Sequence, residues 1–233
     1  MEIRRRAVLK GMALSSLAGL ALNAPLRAFA MGGSVAAPGI QRSELLVLVG
    51  EGAASAAFLH GVAAAQGATP HVLDVGQDLG FMLDFERQLG SGVPARLIGL
   101  LDDASATLIV DLARSGGARA QWLGQHTVEA GASHHHLLNT EAAAGCSQWF
   151  GEQLHACGAA FTLAEERHGQ GGQSGQISTL AAPASGAGHP AQWASSVGYL
   201  LAALGTEIKG VPPVVPLANM PLAGSFVSFS IEV

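Results

Sequence analysis

The sequence predicts a single α/β domain built on a mostly parallel sheet with helices on both faces. Three observations carry that reading. The stretch Glu44–Val49 is almost wholly apolar, too short for a stable helix and rich in Val and Leu, as a strand covered on both faces requires. Gly50 and Gly52 then free the backbone to turn sharply, and an Ala-rich helical segment runs to Gly67. Two further strand-then-helix units follow with short turns, and such units assemble through right-handed crossovers.

Each element has its own signal. Residues 31–43 contain Gly, Pro and Ser without periodicity and read as a linker. After the first strand, a helix over 52–66 puts Ala54, Phe58, Val62 and Ala65 on one face, and Gly67 suits its C-terminus. Residues 71–75 form strand two, and Asp78 caps a helix carrying Leu79, Met82, Leu83 and Leu89 that stops at Gly90. Residues 96–101 form strand three, with Asp103 as N-cap of a helix through Ser115 whose inner stripe is Leu108, Ile109 and Leu112. Residues 121–128 read as a fourth strand and 129–132 as a turn. Residues 133–139 are either its antiparallel partner or an irregular lead into the next helix.

Thr140 caps that helix, on which Cys146, Trp149, Phe150, Gln153, Leu154 and Cys157 share one stripe before Gly158. The two cysteines are eleven residues apart, so their Cα atoms stand about 16 Å from each other on a helix. A disulfide needs less than about 7 Å, so two buried free thiols with a packing role are expected. Residues 160–166 give another strand, and 169–175, low in complexity, a flexible surface loop. A helix after Pro190 carries Trp193, Val197, Leu200, Leu201 and Leu204 on one face. Residues 211–221 hold four prolines and cannot be regular helix or central strand. Residues 226–233 alternate with period two, which suggests an antiparallel strand at a sheet edge.

At 233 residues and 49% hydrophobic, the chain can bury a full core. Its N-terminus reads Arg4-Arg5-Arg6-Ala7-Val8-Leu9-Lys10, then an apolar segment over 12–22, Pro25 and Ala28-Phe29-Ala30. This resembles a twin-arginine export signal, matched at Arg5, Arg6, Leu9 and Lys10, with Arg4 and Val8 as departures. The resemblance implies a signal peptide over 1–30, the linker over 31–43, and an α/β domain over 44–233. It also implies the twin-arginine translocation machinery as a partner, a periplasmic or secreted location, and folding before export. A cofactor or a co-exported redox partner would be acquired at that stage. The apolar run is shorter than the roughly 20 residues of a membrane span, so no stable membrane insertion is expected after cleavage.

Cleavage after Ala30 removes five of the 12 basic residues and one of the 17 acidic ones, leaving a formal charge of −9. A domain this acidic repels phosphate backbones, and with few aromatic rings it offers no base-stacking platform; nucleic acid is set aside as a partner.

Candidate chemistry sits in two places. Gly50-x-Gly52-x-x-Ser55 lies between a strand and a helix, and Asp74 ends strand two. This resembles the Rossmann dinucleotide fingerprint, with Ser55 in place of the third Gly and Glu51 inside the loop. The resemblance implies a Rossmann-like or flavodoxin-like sheet binding NAD(P) or a flavin, with Gly50, Gly52, Ser55, Asp74 and Asp102 near the cofactor. A purely structural glycine turn is the alternative. Glu51, Asp74, Asp102 and Asp103, with Glu165 and Glu166 on a later strand, make an acidic rim that favours a cation, an amine or a metal over a phosphate.

The second place is the histidine cluster. If a hairpin turns near Gly131, His126 lies across from His136 with His134 two residues along, and three imidazoles on one face can hold a metal ion. The bland alternative is a solvated turn. No Gly-x-Ser-x-Gly is present, and nothing ties Ser55, Asp102 and His168 into a hydrolytic set. The expected function is therefore an exported accessory or binding protein that takes a small ligand or partner at the carboxyl edge of its sheet. The alternatives are a nucleotide- or flavin-dependent oxidoreductase and a His-rich metal-binding protein.

Overall fold

Strand β1 (Glu44–Val49) lies in the interior of an eight-stranded sheet with the order β2-β1-β3-β8-β4-β5-β6-β7. The computed structural model describes residues 44–66, 70–76, 79–93, 95–129, 131–138, 146–167, 176–185, 189–205, 210–215 and 223–233. The signal and linker expected over 1–43, the caps Asp78 and Thr140, His168 and the 169–175 loop lie outside these residues.

The first half follows the sequence closely. Helix α1 (Ala53–Gln66), β2 (His71–Asp74), α2 (Leu79–Leu89), β3 (Ala95–Asp102) and α3 (Asp103–Ser115) succeed one another as expected. Both β2 and β3 pair with β1 in parallel. Alternate residues of β1 serve opposite layers: Val47 and Val49 pack with Phe58 and Val62 of α1, while Leu46 and Leu48 pack with Phe85 of α2 and Ile109 of α3. Two details differ. The N-cap of α3 is Asp102, which accepts from Ser105 N, not Asp103. Leu108 is exposed, and the inner stripe of α3 is Ala106, Ile109, Val110 and Ala113.

The second half departs further. β4 (Arg119–Glu129) and β5 (Ala132–Leu138) form an antiparallel hairpin whose turn includes Gly131 at φ 85°, a left-handed conformation that suits glycine. After α4 (Cys146–Ala156), β6 (Ala160–Arg167) runs parallel to β5, and β7 (Gln176–Ala182), which no sequence signal marked, pairs antiparallel with β6. Helix α5 (Gln192–Ala203) precedes β8 (Gly224–Glu232).

β8 is antiparallel as expected, but it is central, hydrogen-bonded to β3 on one side and β4 on the other. Its alternation reads as an edge because a polar residue at every second position usually faces water. Here those residues are Ser228 and Ser230, small enough to be buried under α5, while Val227, Phe229 and Ile231 face α3. The expected mostly parallel sheet is thereby corrected to a mixed one: β3–β8, β8–β4, β4–β5 and β6–β7 are antiparallel.

Helix α5 is buried along nearly its whole length, between the sheet, α1 and the irregular residues 210–215. Gln192 and Ser195 donate to the carbonyl of Pro213, so the proline-containing segment covers a side that would otherwise face water. Among the described residues no helix is long and apolar enough to cross a membrane.

Candidate functional site

The strand directions decide which chain ends meet. β4 runs the same way as β1–β3, whereas β5 and β6 run opposite to them. The carboxyl ends of β1–β4 and the starts of β5 and β6 therefore share one edge of the sheet. At this edge lies a cavity of about 310 Å³. One wall is the β4–β5 hairpin, from Val128 to Ser133; a second is the end of α4 with Leu154 and Cys157, continuing to Phe161 of β6. His189, Pro190 and Trp193, at the approach to and first turn of α5, close it from the side. The lining is chiefly apolar, as ligand pockets are.

Behind Ser133 the hairpin carries a buried polar network. Register places His126 directly opposite His135, and their Nδ1 atoms lie 2.8 Å apart. His126 Nε2 is 2.7 Å from Ser228 Oγ, to which Trp122 Nε1 donates at 3.0 Å. His135 Nε2 is 2.9 Å from Ser133 Oγ, two residues earlier on the same strand face. Trp193 lies over both imidazoles, with ring centroids 4.8 Å from His126 and 5.5 Å from His135, and Phe150 meets His135 edge-on at 5.1 Å.

Burial sets the protonation state. His126 and His135 are 1% and 2% exposed. Desolvation, followed by the charge His135 would carry, holds His126 well below its usual range; desolvation, followed by His134, lowers His135 to about 3. Both rings are neutral at physiological pH.

This register corrects the expected three-imidazole face. His126 pairs with His135, while Gln125 pairs with His136 and Thr127 with His134, so His134 and His136 project from the opposite face of the sheet. His134 bonds Thr162 Oγ1 at 2.8 Å, and His136 lies 3.8 Å from Glu166. Among the described residues no group of three metal-ligating side chains comes together. The residue that sequence reasoning left out is His135, and the signal that finds it is hairpin register: a turn of one residue more or less swaps His135 for its neighbours.

The glycine turn sits at the same edge, several strands away. Val49 pairs with Asp74, and Val75 N donates to Val49 O, so Gly50 and Asp74 are neighbours. Gly52 has φ 115° and is exposed, and Ser55 is buried in the first turn of α1. The Asp102 carboxylate is already engaged at the α3 N-terminus; hydrogen bonds from Ser105 hold it below the usual range. The acidic rim divides: Glu51, Asp74, Asp102 and Asp103 are at this edge, while Glu165 and Glu166 lie toward the opposite one because β6 is reversed. Glu165 is buried and accepts from Ser147 Oγ at 2.6 Å.

Both cysteines are free thiols as expected, but each is only partly buried. Burial, followed by the Glu165 charge, raises the Cys146 thiol, and burial pushes Cys157 up to about 11, so neither is a thiolate nucleophile at neutral pH. No family model, curated protein or solved structure matches this chain.

Proposed function

We propose that this protein is an exported binding module that holds a small, largely apolar ligand in the pocket beside Ser133. The observation that carries this reading is the pocket itself, about 310 Å³ of chiefly apolar wall at the carboxyl end of β4. That is the size class of small-molecule sites. The neutral histidine pair behind Ser133 suits an uncharged ligand group at that point, because a buried ionised group needs a charged partner. The lining also includes the exposed Glu129 and the buried His189 Nδ1 and Trp193 Nε1, which have no hydrogen-bond partner among the described residues. Trp193 lines the pocket, so its fluorescence reports occupancy. Titration with a small aromatic ketone such as acetophenone is expected to change that emission saturably. Ala159→Phe, which adds bulk to the pocket wall, is expected to weaken the response at least about tenfold with the circular dichroism unchanged. An undiminished response in that variant removes the pocket from the account.

Export belongs to the same proposal, resting on Arg5, Arg6, Leu9 and Lys10. Replacing Arg5 and Arg6 by Lys is expected to leave the full-length precursor in the cytoplasm; unchanged appearance in the periplasm overturns it. The second reading is a nucleotide or flavin at the Gly50 turn, favoured by the pairing of Val49 with Asp74. An absorbance spectrum of protein purified from its native compartment separates the two, since flavin bands lost on replacing Gly52 by Val would support the second.

A further inference from the structure

The buried network has a direction, and that direction selects the ligand. Trp122 Nε1 can only donate, so Ser228 Oγ accepts from it in every arrangement. The only other side-chain partner of Ser228 among the described residues is His126 Nε2, 2.7 Å away. If His126 also donated to Ser228, the hydroxyl proton would be left buried with no side-chain acceptor there, which is costly. Ser228 therefore donates to His126 Nε2. The proton of the neutral His126 ring is then on Nδ1 and is donated to His135 Nδ1 across 2.8 Å. His135 in turn carries its proton on Nε2 and donates to Ser133 Oγ at 2.9 Å.

We propose that Trp122, Ser228, His126 and His135 form a one-way donor chain that leaves the Ser133 hydroxyl proton facing the pocket, so that the preferred ligand is an apolar molecule bearing an uncharged acceptor such as a ketone, ester or amide carbonyl. Ser133 is 6% exposed and lines the cavity. Aligned hydrogen bonds polarise one another, which strengthens the terminal donor. The same direction denies Ser133 a base: His135 Nε2 already holds a proton, so the Ser-His-His arrangement is a recognition device and not a nucleophile with its general base.

This inference rests on the pocket reading above, and two measurements keep them apart. Long-range nitrogen–proton NMR of the imidazoles is expected to show His126 protonated at Nδ1 and His135 at Nε2; the opposite tautomers overturn the donor chain whatever binds. Acetophenone is expected to bind about fivefold or more tighter than α-methylstyrene, the hydrocarbon in which a CH2 group replaces the carbonyl oxygen. Ser133→Ala should erase that ratio and Ser133→Thr should keep it. Equal affinities in the unaltered protein overturn the donor role of Ser133 and leave the pocket standing. Failure of both probes to bind removes the pocket reading and the ligand preference with it.

Discussion

Gly124 has no side chain because two others meet above it. A Cβ there would stand 2.8 Å from Ser228 Oγ and 3.1 Å from His126 Nε2, inside the hydrogen bond that joins them. Gly124→Ala is expected to cost roughly 1–3 kcal/mol by urea denaturation, the range for a disrupted buried hydrogen bond. The histidine pair also makes an acid-sensitive point. Both rings have folded-state pKa values below the unfolded value of about 6.5, so between that value and about 3 for His135 the unfolded chain binds more protons. Stability is full above about pH 6.5 and falls as the pH drops, by at most about 1.4 kcal/mol per pH unit for each ring. Thermal melts from pH 7.5 to 4.5 should show this slope, and replacing both histidines by Gln should flatten it. A stability independent of pH over that range contradicts the buried neutral pair. The sequence displays four of these histidines plainly, but not which two share a face, because one residue of register inverts every side chain on a strand.

Helices α1 and α5 cross with their backbones in contact, and two glycines permit it. A Cβ on Gly61 would lie 1.9 Å from Ser195 O, and one on Gly198 would lie 2.2 Å from Phe58 O. Ala is ordinarily the better helix residue by about 1 kcal/mol, so a glycine-to-alanine change in a helix stabilises unless space forbids it. Here the obstacle is backbone, and Gly61→Ala and Gly198→Ala should each destabilise by about 2 kcal/mol or more in chemical denaturation. A gain in stability for either would show that the two helices stand further apart. Apolar stripes mark α1 and α5 in the sequence, and Phe58, Val62, Val197 and Leu200 on them are all fully buried. The sequence does not reveal that α5 is covered on its other sides, since that covering depends on Pro213 meeting Gln192 and Ser195 from a distant part of the chain. Across the sheet, Gly99 faces Phe229, whose ring occupies the space a side chain would need. Phe229→Ala is expected to cost about 3–5 kcal/mol, the range for truncating a buried aromatic.

β8 is the hinge of the architecture in a hydrogen-bonding sense. It alone connects β2-β1-β3 to β4-β5-β6-β7, and it bonds to β3, a strand more than a hundred residues earlier. Removing residues 224–233 should abolish cooperative unfolding in both halves, as seen by circular dichroism and limited proteolysis. A truncated chain that kept a sharp transition would show that one half folds alone. Pairing over such a separation also predicts slow refolding, in milliseconds to seconds or longer, because loop closure precedes the contacts that reward it. Local sequence sufficed for the α/β layering, the parallel β2-β1-β3 start, the positions of the helices among the described residues and the free cysteines, since hydrophobic periodicity and glycine turns act over a few neighbouring residues. Tertiary contacts alone settled the mixed sheet, the burial of two serines in a central strand, and the meeting of His126 with His135 behind the pocket. Those outcomes depend on register and on partners far along the chain, where the energy of a hydrogen bond belongs to the pair and is written in neither residue separately.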